Sequence, residues 1–193
     1  MVSTQYFFAM NDSDALAMIG RLARIVTHDG HAAGLKPAQW EALRYLARAN
    51  RFSRTPGALT AYLGATKGTV SQTLMALERA GLIRKSADPA DRRSVRLELT
   101  EAALSLLPRD ETLRFEAAME TMNEEERRAL RIGLSALLSA RIAADGGRPF
   151  GLCRECRHFR EGERGPGKHL CGLLKEPLSD EDATHICVEH EAA

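Results

Sequence analysis

The sequence predicts a mainly α-helical protein that carries one small β-hairpin and ends in a short irregular segment. Three observations carry the prediction. Apolar residues recur at helical spacing between positions 19 and 46 and again between 130 and 138. The period drops to two at Val95, Leu97 and Leu99, which alternate with Arg96 and Glu98. All four cysteines lie beyond residue 150, spaced C-x2-C-x14-C-x15-C.

At 193 residues the chain has room for one domain of ordinary size, read over 1–144, a linker at 145–151 and a cysteine-rich segment at 152–193. A net charge of +1 speaks against non-specific polyanion binding by the whole chain, so any nucleic-acid surface must be local. The apolar runs fall short of a membrane span. Met1 to Phe8 lacks the basic start and long apolar core of a secretion signal. The expectation is a cytoplasmic protein with no membrane partner.

The first helix is read from Asn11 to about Ala32, with Ile19, Leu22, Ala23 and Val26 at helical spacing. His28 and His31 sit near its end, one turn apart. They can share a metal, but no cysteine or carboxylate cluster lies nearby, and favourable placement at a helix C-terminus is the plainer reading. A second helix, from Pro37 to about Arg48, buries Trp40, Leu43 and Leu46. Asn50-Arg51-Phe52-Ser53-Arg54 then reads as a basic loop that either touches phosphates or is solvated.

Thr55-Pro56 is an N-cap followed by proline at the first helical position, where no N–H bond is needed. A short helix through Leu59, Tyr62 and Leu63 ends at Gly64. After a turn, another helix runs from about Lys67 to Ala80, with Val70, Leu74 and Leu77 as its buried stripe. Gly81 ends it. Leu82-Ile83-Arg84-Lys85 is the antiparallel partner of the strand Val95–Leu99, across a long turn at 86–94. Helix, turn, helix and basic-tipped hairpin make a winged helix-turn-helix over 55–99.

The outer face of the Lys67 helix has a plain reading, the polar side of a core helix, and a functional one. As a recognition helix it would present Lys67, Gly68, Thr69, Ser71 and Gln72 to the major groove of double-stranded DNA. Glycine and serine allow close approach, Gln72 can pair bidentately with adenine, and Lys67 reaches guanine or phosphate. Arg92 and Arg93 at the hairpin tip suit a narrow minor groove. Between Thr55 and Leu99 there are seven Lys/Arg against four Asp/Glu, a net +3 in a nearly neutral protein. DNA binding is the stronger reading.

These residues resemble the MarR family of regulators over roughly 10–143. Leu35-Lys36-Pro37-Ala38-Gln39-Trp40 is similar to the start of the family's second helix. Thr66-Lys67-Gly68-Thr69-Val70-Ser71, continued by Leu77-Glu78-Arg79-Ala80-Gly81-Leu82-Ile83, is similar to its recognition helix and first wing strand. Asp88-Pro89-Ala90-Asp91-Arg92-Arg93-Ser94 is similar to its wing, with Asp91 assigned to holding the wing through a nearby arginine. Two departures stand out. Glu101-Ala102-Ala103 follows the Leu99-Thr100 pair where the family usually has glycine, and Lys36 replaces the usual hydroxyl cap before Pro37. The resemblance implies a homodimer of intertwined terminal helices, a palindromic operator, a repressor, and a small-molecule effector between the lobes.

Beyond the wing, Thr100 caps a helix that must kink or restart at Pro108 and continue through Leu113, Ala117 and Met119 to about Met122. Asn123 and Glu126 have capping-box spacing, so another helix begins there and carries Leu130, Leu134, Leu137 and Leu138 to about Ala144. Either one monomer core or a second subunit buries these leucines.

The final segment is too short to build a core alone and needs a staple. A reducing compartment disfavours disulfides. Cys153, Cys156, Cys171 and Cys187 are therefore read as a four-cysteine metal site, structural or sensory, with Cys171 and Cys187 arriving from separate turns. The second pair is not a CxxC knuckle, so this is no standard zinc ribbon. Zn²⁺ is the first expectation and an iron–sulfur cluster the alternative. His158, His169, His185 and His190 are available as replacement ligands, and Arg154, Arg157 and Arg160 can moderate the site's charge. The plain reading is four unrelated thiols on a tail. No GxSxG, Walker or dinucleotide fingerprint is present, so no enzyme is expected. The remaining alternative is a protein-interaction module whose helix-turn-helix no longer reads DNA.

Overall fold

The computed structural model describes residues 11–29, 34–87, 95–163, 165 and 167–193. α1 spans Asp12–Asp29, and Asn11 Oδ1 caps it by accepting from the backbone N–H groups of Ser13 at 2.9 Å and Asp14 at 3.1 Å. The expected continuation to Ala32, with His31, runs into positions 30–33, outside the described residues. α2 spans Pro37–Arg48. Lys36 provides no side-chain cap there; Gln39 Oε1 instead reaches back to the Lys36 N–H at 2.7 Å.

α3, Pro56–Leu63, is capped by Thr55 and ends at Gly64, whose φ of 58° is the left-handed turn glycine adopts without strain. α4 spans Lys67–Arg79, and the Thr66 side chain accepts from the Thr69 N–H. β1 (Ile83–Ala87) and β2 (Val95–Leu99) pair antiparallel, Ile83 opposite Leu99 and Ala87 opposite Val95. Of the expected alternation, only Leu97 is fully buried; Val95, at the end of the hairpin where the strands are connected, is exposed. The hairpin tip at 88–94 lies outside the described residues.

α5 covers Glu101–Leu106, capped by Thr100. Pro108 sits in a 3-10 turn, Leu107–Arg109, because its ring cannot continue an α-helix. The chain restarts as α6, Leu113–Glu120, rather than bending through as one helix to Met122. Asp110 fixes the break: it pairs with Arg44 of α2 at 3.0 Å and accepts from the Thr112 N–H at 2.9 Å. α7, Glu124–Ala144, begins with the Asn123–Glu126 capping box.

One core holds Trp40, Leu43, Tyr45 and Leu46 from α2, Leu59 from α3, Val70, Leu74 and Leu77 from α4, and Ile83 and Leu97 from the hairpin. The helices at the two ends differ. Leu16 and Leu22 of α1 are exposed, as are Ile132, Leu134, Leu137 and Leu138 of α7, the last at 62%. α7 buries no side chain in this chain.

The C-terminal segment is folded and docked. β3 (Gly151–Leu152) pairs with β7 (Ile186–Cys187), and β4 (Phe159–Arg160), β5 (Lys168–Cys171) and β6 (Glu176–Ser179) form a second antiparallel sheet. α8, Asp180–Thr184, follows a capping box made by Ser179 and Asp182. Ile186 belongs to the main core, and Phe150, Leu152 and Val188 pack against it. The expected linker therefore ends at an anchored residue: the Phe150 ring meets Tyr62 edge-on at 5.2 Å and Tyr45 at 6.0 Å.

Candidate nucleic-acid interface and cysteine cluster

α4 turns Val70, Leu74 and Leu77 inward, and its helical period then forces Lys67, Gly68, Ser71, Gln72 and Met75 outward. All five are exposed. A side chain at Gly68 would meet only the Thr66 hydroxyl, at 3.8 Å, so the first turn presents an open backbone surface. Thr69 is exposed too, but its hydroxyl lies 2.9 Å from Thr66 Oγ1 and belongs to the N-cap. The flanking hairpin is basic on its outer face, where Lys85 pairs with Glu78 of α4 at 2.6 Å. Asp91, Arg92 and Arg93 lie outside the described residues.

The four cysteines come together from distant positions. Cys153 and Cys156 flank a 3-10 turn, Cys171 ends β5 and Cys187 ends β7, so the last two arrive from strands rather than turns. All four line one cavity with His158, Phe159, Leu173, Leu178 and Glu189. Burial pushes the Cys153 thiol up to about 12, and Cys187, Cys171 and Cys156 each add to the shift. Burial also raises Cys187, an effect opposed by the neighbouring polar groups of Asn50, the Glu189 backbone and Ser53. The Tyr45 hydroxyl is raised by burial first and then by Cys187 and Tyr62. As placed, no group of three His, Cys, Asp or Glu side chains among the described residues could hold a metal ion. Arg157 pairs with Glu191 at 3.2 Å, and Arg160 donates to the Arg157 carbonyl at 3.0 Å, so both are engaged outside the thiol cavity.

The loop at 50–54 corrects the sequence reading most. It is neither a solvated loop nor a free phosphate contact. Asn50 and Ser53 are buried, and the loop is the floor on which the C-terminal segment sits. Ala49 bridges Ile186, Asn50 N–H donates to the Ile186 carbonyl at 2.9 Å, and Val188 N–H donates to Ser53 Oγ at 2.9 Å. Arg51 pairs with Asp182 at 2.7 Å and also donates to the Pro177 carbonyl. Arg54 Nε donates to the Ala49 carbonyl at 2.9 Å. A polar asparagine and serine beside two arginines look like a surface loop; only the partner segment, more than 120 residues away, buries them.

The family model of MarR matches residues 33–94. That match spans α2, α3, α4 and β1. The fold agrees with solved structures of that kind. A MarR transcriptional regulator from Methanosarcina mazei Go1 is 23% identical, with 68% of this chain and 96% of that chain covered and a TM-score of 0.56. The Staphylococcus aureus MepR–DNA complex is 24% identical, with 68% and 98% covered and a TM-score of 0.54. Streptococcus pneumoniae FabT in complex with DNA is 23% identical, with 66% and 92% covered and a TM-score of 0.53. No curated protein matches the chain. Among the described residues, no helix is long and apolar enough to cross a membrane.

Proposed function

We propose that this protein is a sequence-specific, DNA-binding transcriptional regulator of MarR type, a repressor that works as a homodimer on a palindromic operator. The observation that carries the reading is the exposed first half of α4, with Lys67, Ser71 and Gln72 facing outward beside a basic hairpin. The MarR family comprises transcription regulators rather than enzymes, and two solved structures of similar fold contain DNA. Gln72 is assigned to a base edge, Lys67 to guanine or phosphate, Ser71 and Gly68 to close approach, and Arg92 with Arg93 to the minor groove. DNA as the partner places the protein in the cytoplasm. The apolar, uncovered faces of α1 and α7 support the homodimer, since contiguous exposed leucines ask for a cover.

The finer part of the proposal is a metal centre on Cys153, Cys156, Cys171 and Cys187. Four thiols around one cavity with apolar walls, and a buried amide beside Cys187, fit a thiolate-bound metal. A zinc ion would supply a structural staple. An iron–sulfur cluster is the alternative, since four thiolates suit either group, and metal and sulfide content of protein purified without oxygen separates the two.

The experiment is selection of double-stranded DNA from a random pool by the full-length protein. The expected product is a palindrome with half-sites about 34–36 Å apart. Absence of any enriched sequence, with DNA affinity unaffected by replacing Lys67, Arg92 and Arg93, overturns the regulator reading in favour of a protein-interaction module.

A further inference from the structure

The α2–α3 loop and the strand carrying Cys187 share more than packing. Asn50 is 1% exposed and Ser53 is fully buried. Asn50 uses its backbone N–H on the Ile186 carbonyl and its Oδ1 to accept from the Ser53 N–H at 3.0 Å. Its Nδ2 group is buried with no hydrogen-bond partner among the described residues, and the bond to Ile186 sets Asn50 beside Cys187. Ser53 Oγ accepts from the Val188 N–H at 2.9 Å, so its hydroxyl lies on the other flank of Cys187 and keeps its own proton to donate. A buried amide with nothing to donate to is destabilising. A neutral thiol is a weak acceptor, whereas a metal-bound thiolate is a strong one. Two donors from a different part of the fold, converging on one cysteine, suit a sulfur that carries charge.

We infer that Asn50 and Ser53 are positioning residues of the metal centre: they donate to the Cys187 thiolate when it ligates metal, and so couple loading of the centre to the DNA-binding lobe. This role presupposes that the four cysteines bind a metal. Such partners orient ligands and tune the metal they hold. The loop has two onward connections. Ser53 O accepts from Tyr45 Oη at 2.6 Å and from the Thr55 N–H at 2.8 Å, and Thr55 is the cap of α3. Arg54 O accepts from the Leu97 N–H of β2 at 2.7 Å. A thiolate that pulls on Asn50 and Ser53 therefore bears on the first helix of the helix-turn-helix and on the wing strand. By linkage, whatever factor metal applies to operator affinity, the operator applies to metal affinity.

The test compares full-length wild type, Asn50→Asp and Ser53→Ala, purified without oxygen. Each is loaded with Zn²⁺, with Co²⁺ as a coloured substitute, or with ferrous iron and sulfide. Asn50→Asp keeps the oxygen that holds the Ser53 N–H and removes the donor to sulfur. The expected result is a loss of zinc affinity of roughly 10–100-fold in chelator competition. The cobalt–thiolate charge-transfer band should move to longer wavelength; if the centre is a cluster, its reduction potential should fall. Ser53→Ala should shift the same readouts in the same direction by less, and it decides the matter if metal-free Asn50→Asp is unfolded by circular dichroism. In wild type, operator affinity should differ between loaded and metal-free protein, and Asn50→Asp should narrow that difference. Variants with wild-type metal affinity, band position and potential overturn the positioning role. Equal operator affinity with and without metal overturns the coupling. Wild type that takes up neither zinc nor a cluster overturns the metal-binding reading itself.

Discussion

The backbone N–H of Asn50 donates to the carbonyl of Ile186 at 2.9 Å, joining the end of α2 to the strand that carries Cys187. Through this bond and its neighbours the C-terminal segment becomes part of the winged helix rather than an appendage. Ile186 is 6% exposed and sits in the main core, so its side chain contributes roughly 2 kcal/mol of burial.

Replacing Ile186 by alanine removes that contact and opens a void under the segment. The expected cost is about 2–4 kcal/mol, read as a lower urea midpoint. A loss below about 0.5 kcal/mol would mean that the segment contributes little to the fold.

Arg44 and Asp110 bridge α2 to the break between α5 and α6, with the aspartate side chain only 7% exposed and the arginine 26%. Arg44→Ala should leave a nearly buried carboxylate without its cation and destabilise by about 2 kcal/mol, discounted for the arginine's partial exposure. Thermal unfolding checks it, and an unchanged midpoint refutes the pair's contribution.

On DNA, Lys67→Ala and Gln72→Ala should behave differently. Loss of a phosphate contact by Lys67 weakens all sequences alike and lowers the salt slope by about 1. Loss of a base contact by Gln72 costs about 1–3 kcal/mol at one base pair and relaxes the preference there. Anisotropy titrations at several salt concentrations, on the selected operator and single-base variants, separate the two.

The exposed leucines of α7 give a test of assembly. Leu134→Glu together with Leu138→Glu places two charges on the face read as the subunit interface. Sedimentation should show monomers, with operator affinity sharply lower because half-sites are then bound singly. A dimer that survives both charges places the interface elsewhere.

By itself, the sequence determined the local elements, because their signals are local. The Thr55 cap, Pro56, the positive-φ Gly64, the Val70–Leu74–Leu77 stripe and the Asn123–Glu126 box each act within a few residues, and each element lies where these signals put it. The outward face of α4 followed from the same periodicity. Pro108 announced an interruption, but whether the helix bends or restarts was decided by Asp110 reaching Arg44 across the fold. Only the tertiary structure made the polar loop at 50–54 a buried floor, since its partners at 177–188 are invisible to any local pattern. The cysteine spacing announced a cluster. The association of that cluster with Asn50 and Ser53 came from the docking of Ile186 into a core formed by other helices. Periodicity and capping are short-range physics and can be read along the chain; burial of polar groups depends on which distant surface arrives to cover them.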